Sequence, residues 1–274
     1  MNIKLIAVDM DGTILRTDKF VSDRTMAALR KAAKSGCVVL PASGRVANNL
    51  PKQVTSIPGI RYAITSNGAS VVDMQNRTSV YTNLMTVENS NRLLERVCKT
   101  GFFVEAYCEG VSYSDRSTLG GLLRLNPPKT LFDLITRSQI FVDDLPGYIA
   151  SRRVRLEKVN MPFLPKESRD KLYRELSECG EYSLCSSFPD NIEINRSDCS
   201  KGEALKHLCE TLGIRSEEVM AIGDGGNDLT MLRYAGLGVA MGNAEPDVLD
   251  AADCVTATND EDGAALAIEK YALA

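Results

Sequence analysis

The sequence lacks features that mark several whole classes of protein. No apolar run approaches the ~20 residues that a helix needs to cross a bilayer. Basic residues are not in excess, since 32 Lys and Arg stand against 36 Asp and Glu and the net charge is -4, a balance that argues against a nucleic-acid surface. Only four apolar residues separate Lys4 from Asp9, too few for the apolar region of a signal peptide. We therefore expect a cytoplasmic protein with no nucleic-acid or membrane partner.

Closely paired cysteines are missing as well. The chain has eight cysteines but no CxxC pair, so their spacing predicts neither a zinc site nor a dense disulfide framework. In a reducing compartment, such residues serve as small, partly buried hydrophobic side chains. They are Cys37, Cys98, Cys108, Cys179, Cys185, Cys199, Cys209 and Cys254.

The two ends of the chain do contain an alternation of short apolar strands and amphipathic helices. Strands are predicted at residues 4–8, 38–40, 62–64, 219–222, 237–240 and 253–256. Helices are predicted at residues 22–35, 201–212 and 228–235. The apolar runs are too short for helices, and strand–helix–strand crossovers build a parallel sheet. Residues 1–82 and 189–274 are therefore expected to form one α/β core with a Rossmann-like parallel sheet.

The middle of the chain, residues 83–188, follows a different pattern. A predicted helix at 87–99 is followed by strands at 102–106 and 111–113. Further helical and strand segments follow without the regular alternation of the flanks. We expect this region to fold as an α+β domain inserted into the discontinuous core.

Two carboxylates, those of Asp9 and Asp11, follow directly after the first predicted strand. Ligands of an open parallel sheet bind beyond the carboxyl ends of its strands, so polar residues there are candidate site residues. Carboxylates this close repel each other unless a cation neutralises them or one holds a proton. An acidic turn is the alternative interpretation of the pair alone. The longer string Asp-Met-Asp-Gly-Thr-Ile-Leu behind an apolar strand favours a functional site.

A second acidic segment, residues 222–228, follows another buried strand in the same way. It contains Asp224, Asp228, Asn227 and three glycines. Oxygen ligands of this kind suit a hard cation, and Mg²⁺ in particular favours a few carboxylates together with substrate phosphate. A glycine-rich connector with an Asp N-cap is the structural alternative.

Two further segments complete the pattern of a phosphate site. Ser43 and Gly44 offer a hydroxyl and backbone N–H groups between a predicted strand and a helix. Lys201 stands at the start of a predicted helix, where the helix dipole does not favour a cation, and this suggests a buried anionic partner. The alternatives are an ordinary N-cap at Ser43 and a solvated lysine at position 201.

The four segments together resemble the haloacid dehalogenase superfamily, and the chain is similar to its Cof-type phosphatases, which carry a large (C2-type) cap between the second and third motifs. The motifs cover residues 1–80 and 190–274, whereas the cap assignment to 83–188 rests on position and length. Ser43 stands where many relatives carry threonine, an exchange that keeps the hydroxyl. The resemblance implies a Mg²⁺-dependent phosphatase whose cap sets substrate specificity.

The resemblance also implies a role for each motif residue. Asp9 is the nucleophile that forms an aspartyl-phosphate, and Asp11 is the general acid and base. The implied metal site consists of Asp9, the backbone carbonyl of Asp11, Asp224 and, in support, Asp228. The implied phosphate-binding residues are Ser43, Gly44, Lys201 and Asn227.

Arg45, Asn67 and Asn191 are candidate substrate contacts, because each lies near a predicted strand end or where the inserted domain rejoins the core. A salt-bridging arginine and a polar turn are equally compatible with the first two. His207, the single histidine, lies inside a predicted helix, and a surface or interface role is expected for it.

The expected substrate is a small phosphorylated metabolite, such as a sugar phosphate or a phosphorylated cofactor. A phosphosugar phosphotransferase or mutase uses the same four motifs and is one alternative. A non-catalytic phosphometabolite-binding protein is another, although Asp11 argues against it because binding alone needs no acid or base. The sequence specifies neither the physiological substrate nor the oligomeric state.

Overall fold

Two sheets of different kinds organise the chain, each in its own unit. The computed structural model describes residues 2–124, 129–187 and 189–273. The first unit consists of Met1–Arg45, Leu50–Thr82 and Ser200–Ala274. The second unit consists of Val46–Asn49 and Asn83–Cys199.

The elements are numbered in chain order. The strands are β1 (Leu5–Asp9), β2 (Val38–Ala42), β3 (Tyr62–Thr65), β4 (Ser70–Asp73), β5 (Thr78–Thr82), β6 (Glu105–Cys108), β7 (Val111–Asp115), β8 (Gln139–Val142), β9 (Lys158–Met161), β10 (Tyr182–Cys185), β11 (Ile192–Arg196), β12 (Val219–Gly223), β13 (Leu237–Ala240) and β14 (Cys254–Val255). The α-helices are α1 (Asp23–Lys34), α2 (Lys52–Thr55), α3 (Val87–Cys98), α4 (Leu119–Arg124), α5 (Lys129–Ser138), α6 (Leu145–Arg152), α7 (Lys166–Glu178), α8 (Lys201–Leu212), α9 (Leu229–Tyr234), α10 (Pro246–Ala251) and α11 (Gly263–Tyr271).

The first unit is built on an eight-stranded sheet in the order β14-β13-β12-β1-β2-β3-β4-β5. The strands from β14 to β3 run parallel, and β4 and β5 add an antiparallel edge. Strand β1 is buried along its whole length, as expected for an apolar run at the centre of a parallel sheet. The predicted α/β fold with a parallel sheet is confirmed, and the antiparallel edge is an addition to it.

Alternate side chains of β1 supply two separate apolar clusters. Ile6 packs with Leu29 of α1 in one cluster, whereas Leu5 packs with Leu205 of α8 in the other. Each such fully buried side chain contributes roughly 1.5–3 kcal/mol relative to an exposed one. The ends of β1 and its neighbours are therefore held on a rigid scaffold.

The second unit carries a six-stranded sheet in the order β10-β11-β9-β6-β7-β8. Its strands pair antiparallel, except for the parallel pair of β7 and β8. An apolar cluster joins this sheet to helices α3, α6 and α7, with Leu93, Ile149, Val159 and Leu172 among its members. The unit is thus the inserted α+β element that the sequence predicted.

The point at which the chain leaves the inserted unit differs from our prediction. Residues 189–199 were assigned to the core, but β11 pairs with β10 and β9 in the second sheet, and the second unit extends to Cys199. Ile192 and Ile194 alternate with polar residues, which is a strand pattern, but such a pattern does not say which sheet the strand joins. The catalytic and substrate-selecting roles of the two units stay predictions.

The remaining expectations concern individual residues. None of the eight cysteines, all of which lie in the described part of the chain, forms a disulfide; seven of them are buried or partly buried, whereas Cys179 is exposed. His207 is half-exposed and its ring stacks on that of Tyr81, with centroids 4.6 Å apart. Within the three described stretches of chain, no helix combines the length and the apolar character that a membrane span requires.

Candidate active site

Three polar loops leave the sheet at the carboxyl ends of β1, β2 and β12. Strand β1 lies between the other two and pairs in parallel with both. The register sets Asp9 beside Ala42, the residue before Ser43, and the end of β12 leads directly into Asp224. The motifs meet because their strands are neighbours, and their meeting point is the edge at which parallel sheets bind ligands.

Lys201 lies at the centre of the carboxylates and is fully buried. It is the first residue of α8, because the Ser200 hydroxyl accepts a hydrogen bond from the backbone N–H of Glu203 and caps the helix. Its Nζ donates to Asp9 Oδ1 and to Asp228 Oδ1, both at 2.6 Å. Burial lowers the pKa of Lys201, but the charges of Asp228 and Asp9 outweigh burial and raise the pKa above its usual range. A solvated lysine is excluded, and the buried anionic partners that the sequence suggested are present.

Asp228 connects Lys201 to the loop after β12. Its Oδ1 accepts from Lys201, and its Oδ2 accepts from the backbone N–H groups of Asp224 and Gly225, each at 3.0 Å. The side chain is completely buried. Asp228 therefore fixes the lysine and the acidic loop with one carboxylate.

Asp224 faces Thr13 from the opposite loop. The Thr13 hydroxyl donates to Asp224 Oδ1 at 2.7 Å. Burial raises the pKa of Asp224 to about 6, the Thr13 hydrogen bond works in the opposite direction, and the charge of Asp228 raises the pKa further. Thr13 lies within the first motif, but the sequence alone indicates no role for its hydroxyl.

Asp9, Asp224 and Asp228 each contribute one carboxylate oxygen to a cluster in which these three atoms lie within 4.8 Å of one another. Within this cluster, one ammonium group, that of Lys201, compensates part of the negative charge of the three carboxylates. Burial raises the pKa of Asp9 well above its usual range, and the charges of Asp228 and Asp224 act in the same direction. A cluster that is short of positive charge and rich in oxygen donors fits a hard divalent cation. These residues could therefore hold a metal ion.

Gly12 makes the close approach of the two acidic loops sterically feasible. Its φ is +84°, and a Cβ at this position would lie 2.1 Å from Asp224 Oδ2. Any other residue would face both left-handed backbone strain and a collision with that carboxylate. The glycine after the Asp-Met-Asp string is thus required by the packing of Asp224.

Asp11 is paired with two cations, Arg45 and Lys19. Arg45 donates from Nε to Oδ2 and from Nη2 to Oδ1, both at 2.8 Å, and Lys19 Nζ lies 3.3 Å from Oδ1. Burial raises the pKa of Asp11, but Arg45 and then Lys19 outweigh burial, and the pKa lies below its usual value. Arg45 contacts Asp11 directly, which the sequence did not predict, and Lys19 was missed altogether because an exposed loop lysine carries no signal.

The candidate phosphate-binding residues form a second chain of contacts. Ser43 Oγ accepts from the backbone N–H of Arg45 at 3.1 Å, and Gly44 lies between these two residues, partly exposed. The backbone N–H of Asn67 donates to the Ser43 carbonyl at 3.1 Å, and Asn227 Nδ2 donates to Asn67 Oδ1 at 3.1 Å. Ser43, Asn67 and Asn227 are thus linked, and their contacts with phosphate or substrate stay predictions.

Asn191 belongs to the second unit and is engaged there. Its Nδ2 donates to Asn160 Oδ1 at 3.1 Å and to Glu193 Oε1 at 3.3 Å, and its Oδ1 accepts from the backbone N–H of Ser187 at 3.0 Å. The side chain is buried. These bonds give Asn191 a structural role in its own unit, and a substrate contact stays a prediction.

Comparison with known proteins agrees with this arrangement. A family model for haloacid dehalogenase-like hydrolases matches residues 6–268. A 5-amino-6-(5-phospho-D-ribitylamino)uracil phosphatase of Bacillus subtilis, YcsE, is 33% identical over 273 residues, which are 100% of this chain and 97% of the relative. The solved structure of a haloacid dehalogenase-like hydrolase from B. subtilis has a TM-score of 0.83 at 28% identity, covering 98% of this chain and 100% of that one. A haloacid dehalogenase-like hydrolase from Bacteroides thetaiotaomicron has a TM-score of 0.81 at 29% identity, covering 98% and 99%. The family predicted from the four motifs is confirmed: this chain belongs to the haloacid dehalogenase-like hydrolases.

Proposed function

We propose that the chain is a Mg²⁺-dependent phosphomonoester hydrolase that forms an aspartyl-phosphate on Asp9. The observation that carries the proposal is the buried Lys201, shared at 2.6 Å between Asp9 and Asp228. Phosphoryl transfer depends mainly on positioning and on neutralising the charge of the phosphoryl oxygens. A buried lysine beside a carboxylate cluster that could hold a divalent cation supplies both. The relative named as a phosphatase supports the same reaction class.

The reaction has two steps. In the first, an Asp9 oxygen attacks phosphorus in line and the bond from phosphorus to the leaving oxygen breaks. Asp11 gives that oxygen a proton, a role that requires Asp11 to be released from its ion pair with Arg45 and protonated before this step. In the second, Asp11 takes a proton from water, the water oxygen attacks phosphorus, and inorganic phosphate leaves the Asp9 carboxylate. Both aspartates return to their starting states.

The surrounding residues hold the reacting groups. Mg²⁺, when bound by Asp9, Asp224 and the backbone carbonyl of Asp11, would offset the negative charge of the phosphoryl oxygens. Asp228 orients Lys201 and the Asp224 loop through its three hydrogen bonds. We assign the contacts with phosphoryl oxygens to a further set of residues: Lys201, Ser43, Gly44 and Asn227.

The substrate in this proposal is a small phosphorylated metabolite. The substrate in the name of the B. subtilis relative, 5-amino-6-(5-phospho-D-ribitylamino)uracil, is the first candidate because the similarity extends over the whole chain. We assign substrate selection to the second unit because it is the insertion between the second and third motifs, as the family resemblance implies.

Phosphate release by the purified protein tests the proposal. We expect Mg²⁺-dependent release of inorganic phosphate from p-nitrophenyl phosphate, loss of the activity in EDTA, and recovery when Mg²⁺ is restored in excess. A panel of phosphorylated metabolites that includes the ribitylaminouracil phosphate then ranks substrates by kcat/KM. Absence of turnover with every phosphomonoester, or equal turnover in EDTA, would contradict the proposal.

The same assay separates the two alternatives. Transfer of labelled phosphate to an added sugar, with little transfer to water, would identify a phosphotransferase or mutase. Tight binding of a phosphorylated metabolite without any turnover would identify a binding protein. Release of the phosphate to water would support neither of these two alternatives.

A further inference from the structure

The segment 241–245, directly after β13, contacts both acidic loops of the site. The backbone N–H of Met241 donates to the Gly223 carbonyl at 3.0 Å, and that of Glu245 donates to the Asp224 carbonyl at 2.9 Å. Between them, Asn243 Nδ2 donates to the Gly12 carbonyl at 2.9 Å. One short segment therefore holds the loop that carries Asp9 and Asp11 and the loop that carries Asp224.

The amide of Asn243 is itself oriented by Asn259. The backbone N–H of Asn259 donates to Asn243 Oδ1 at 2.9 Å, which turns the Nδ2 donor toward Gly12. The Asn259 side chain donates to the Leu15 carbonyl at 3.0 Å. The two asparagines thus hold two backbone carbonyls of the same loop, three residues apart.

Asn243 bonds the Gly12 peptide, which packs directly against the side chain of Asp224. A Cβ on Gly12 would lie 2.1 Å from Asp224 Oδ2, so a small displacement of the Gly12 peptide changes its distance from that carboxylate. The same peptide follows the Asp11 carbonyl, which we assign to the metal. Groups that orient metal ligands commonly change metal affinity by about 10- to 100-fold when removed.

We propose that Asn243, oriented by Asn259, is a positioning residue that sets the geometry of the Mg²⁺ site by fixing the Gly12 peptide. The metal in this inference rests on the proposed function. The restraint of the loop that contains Gly12 rests on the hydrogen bonds alone. The claim about the metal site (the metal part) and the claim about the loop (the hold on the loop) can therefore be contradicted independently.

Two variants and one matched control test the proposal. Asn243→Ala removes both side-chain bonds, and Asn243→Asp keeps the acceptor for Asn259 but loses the donor to Gly12. Asp253→Ala is the control, because Asp253 is also exposed and also bonds a backbone group, the Gly238 N–H at 2.7 Å, which lies in β13 and not in the Asp9 loop. Thermal unfolding checks that all three variants are folded before they are compared.

Calorimetric titration with Mg²⁺ is the first readout. We expect the Mg²⁺ Kd to rise about 10-fold in both Asn243 variants, kcat to fall with KM for p-nitrophenyl phosphate little changed, and Asp253→Ala to stay within about 2-fold of wild type. An unchanged Kd in Asn243→Ala, or an equal rise in the control, would overturn the metal part.

Hydrogen exchange of residues 10–17 in the metal-free protein is the second readout. We expect faster exchange there in both Asn243 variants and not in the control, and an unchanged exchange rate would overturn the hold on the loop. If wild type neither binds Mg²⁺ nor releases phosphate, the proposed function and the metal part fail together, while the hold on the loop is decided by exchange alone.

Discussion

Arg45 holds Asp11 in a two-pronged ion pair, with Nε and Nη2 each 2.8 Å from a different carboxylate oxygen. Because Arg45 and Lys19 outweigh the effect of burial, the pKa of Asp11 is lower in the folded protein than in the unfolded chain. The pair therefore stabilises the fold above the unfolded-state pKa of about 3.9. That stability is lost as the pH falls through the lower folded-state pKa.

Arg45→Met is expected to lower the free energy of unfolding at pH 7 by no more than about 1 kcal/mol, because about a third of each side chain is exposed to solvent. The difference from wild type should shrink as the pH is lowered below about 4. Urea unfolding at several pH values measures it. In an Asp11→Asn background, the effect of Arg45→Met on the free energy of unfolding should no longer depend on pH. If Arg45→Met still destabilises the otherwise wild-type protein at low pH, Arg45 stabilises the fold through other contacts.

Gly12→Ala should strongly reduce activity through a collision with Asp224, and Gly36→Ala provides a control with a similar backbone strain. Gly36 also has a positive φ, +93°, but nothing lies within 4 Å of its would-be Cβ. Both variants should lose about 1–2 kcal/mol of stability from the left-handed backbone. Only Gly12→Ala should lose phosphatase activity, by about 100-fold. Equal losses of kcat/KM would show that strain, and not the collision, is responsible.

Thr13→Val should move the pH dependence of Mg²⁺ binding. In the proposed site Mg²⁺ would compete with the proton on Asp224, whose pKa burial raises to about 6, so the affinity for Mg²⁺ should fall as the pH drops below that value. Removing the Thr13 hydroxyl removes a hydrogen bond that lowers this pKa, and the fall should begin at higher pH. Calorimetric titrations from pH 5 to 8 test this, with Thr13→Ser as the control that keeps the hydroxyl.

The same raised pKa predicts how the metal-free protein responds to pH. Between the unfolded-state pKa of about 3.9 and the folded-state value of about 6, the folded protein binds more protons at Asp224 than the unfolded chain does. This group therefore makes the metal-free protein less stable as the pH rises through that range. We therefore expect the free energy of unfolding of Asp224→Asn, relative to that of wild type, to rise with pH over this range. Urea unfolding in EDTA at several pH values measures this difference.

The second unit contains a buried ion pair that should be costly to break. Lys158 Nζ lies 2.8 Å from Glu193 Oε2, and both side chains are almost completely buried. Lys158→Met should destabilise the protein by about 3–5 kcal/mol because it removes the cationic partner of the buried Glu193 carboxylate, and the added change Glu193→Gln should recover part of that loss. Arg116→Met, which breaks an exposed pair with Asp143 in the same unit, should cost no more than about 1 kcal/mol. Similar losses of unfolding free energy in Lys158→Met and Arg116→Met would contradict the larger contribution expected of the buried pair.

The sequence predicted the parts of the fold and site that are encoded in contiguous residues. The apolar runs of β1 and β12 predicted buried parallel strands, and the polar residues after them predicted that Asp9 and Asp224 lie at the same sheet edge. The position of Lys201 at a helix start is unfavourable for a cation, and this indicated a buried anionic partner. Each of these signals lies within a few residues and depends on general properties of strands and helices.

The sequence could not predict contacts between single residues far apart in the chain. Nothing near Asn243 indicates that it bonds to Gly12, 231 residues away, and nothing in residues 192–196 says which sheet β11 joins. Pairing between distant segments is decided by the whole packed structure, so the boundary near residue 189 was wrong although the strand pattern was visible. Thr13 lay within the first motif, but its hydroxyl acquires a role only once Asp224 is beside it.

The most direct test of the account is phosphate release by Asp9→Asn. This change keeps the size of the side chain and an acceptor for Lys201 but removes the nucleophilic carboxylate, so Mg²⁺-dependent release of phosphate from p-nitrophenyl phosphate should be abolished in a variant that remains folded by circular dichroism. Asp11→Asn is the companion variant, and it should slow turnover while keeping most of the Mg²⁺ affinity, since the metal contact assigned to Asp11 is through its backbone carbonyl. Wild-type turnover in folded Asp9→Asn would contradict the assignment of Asp9 as the nucleophile.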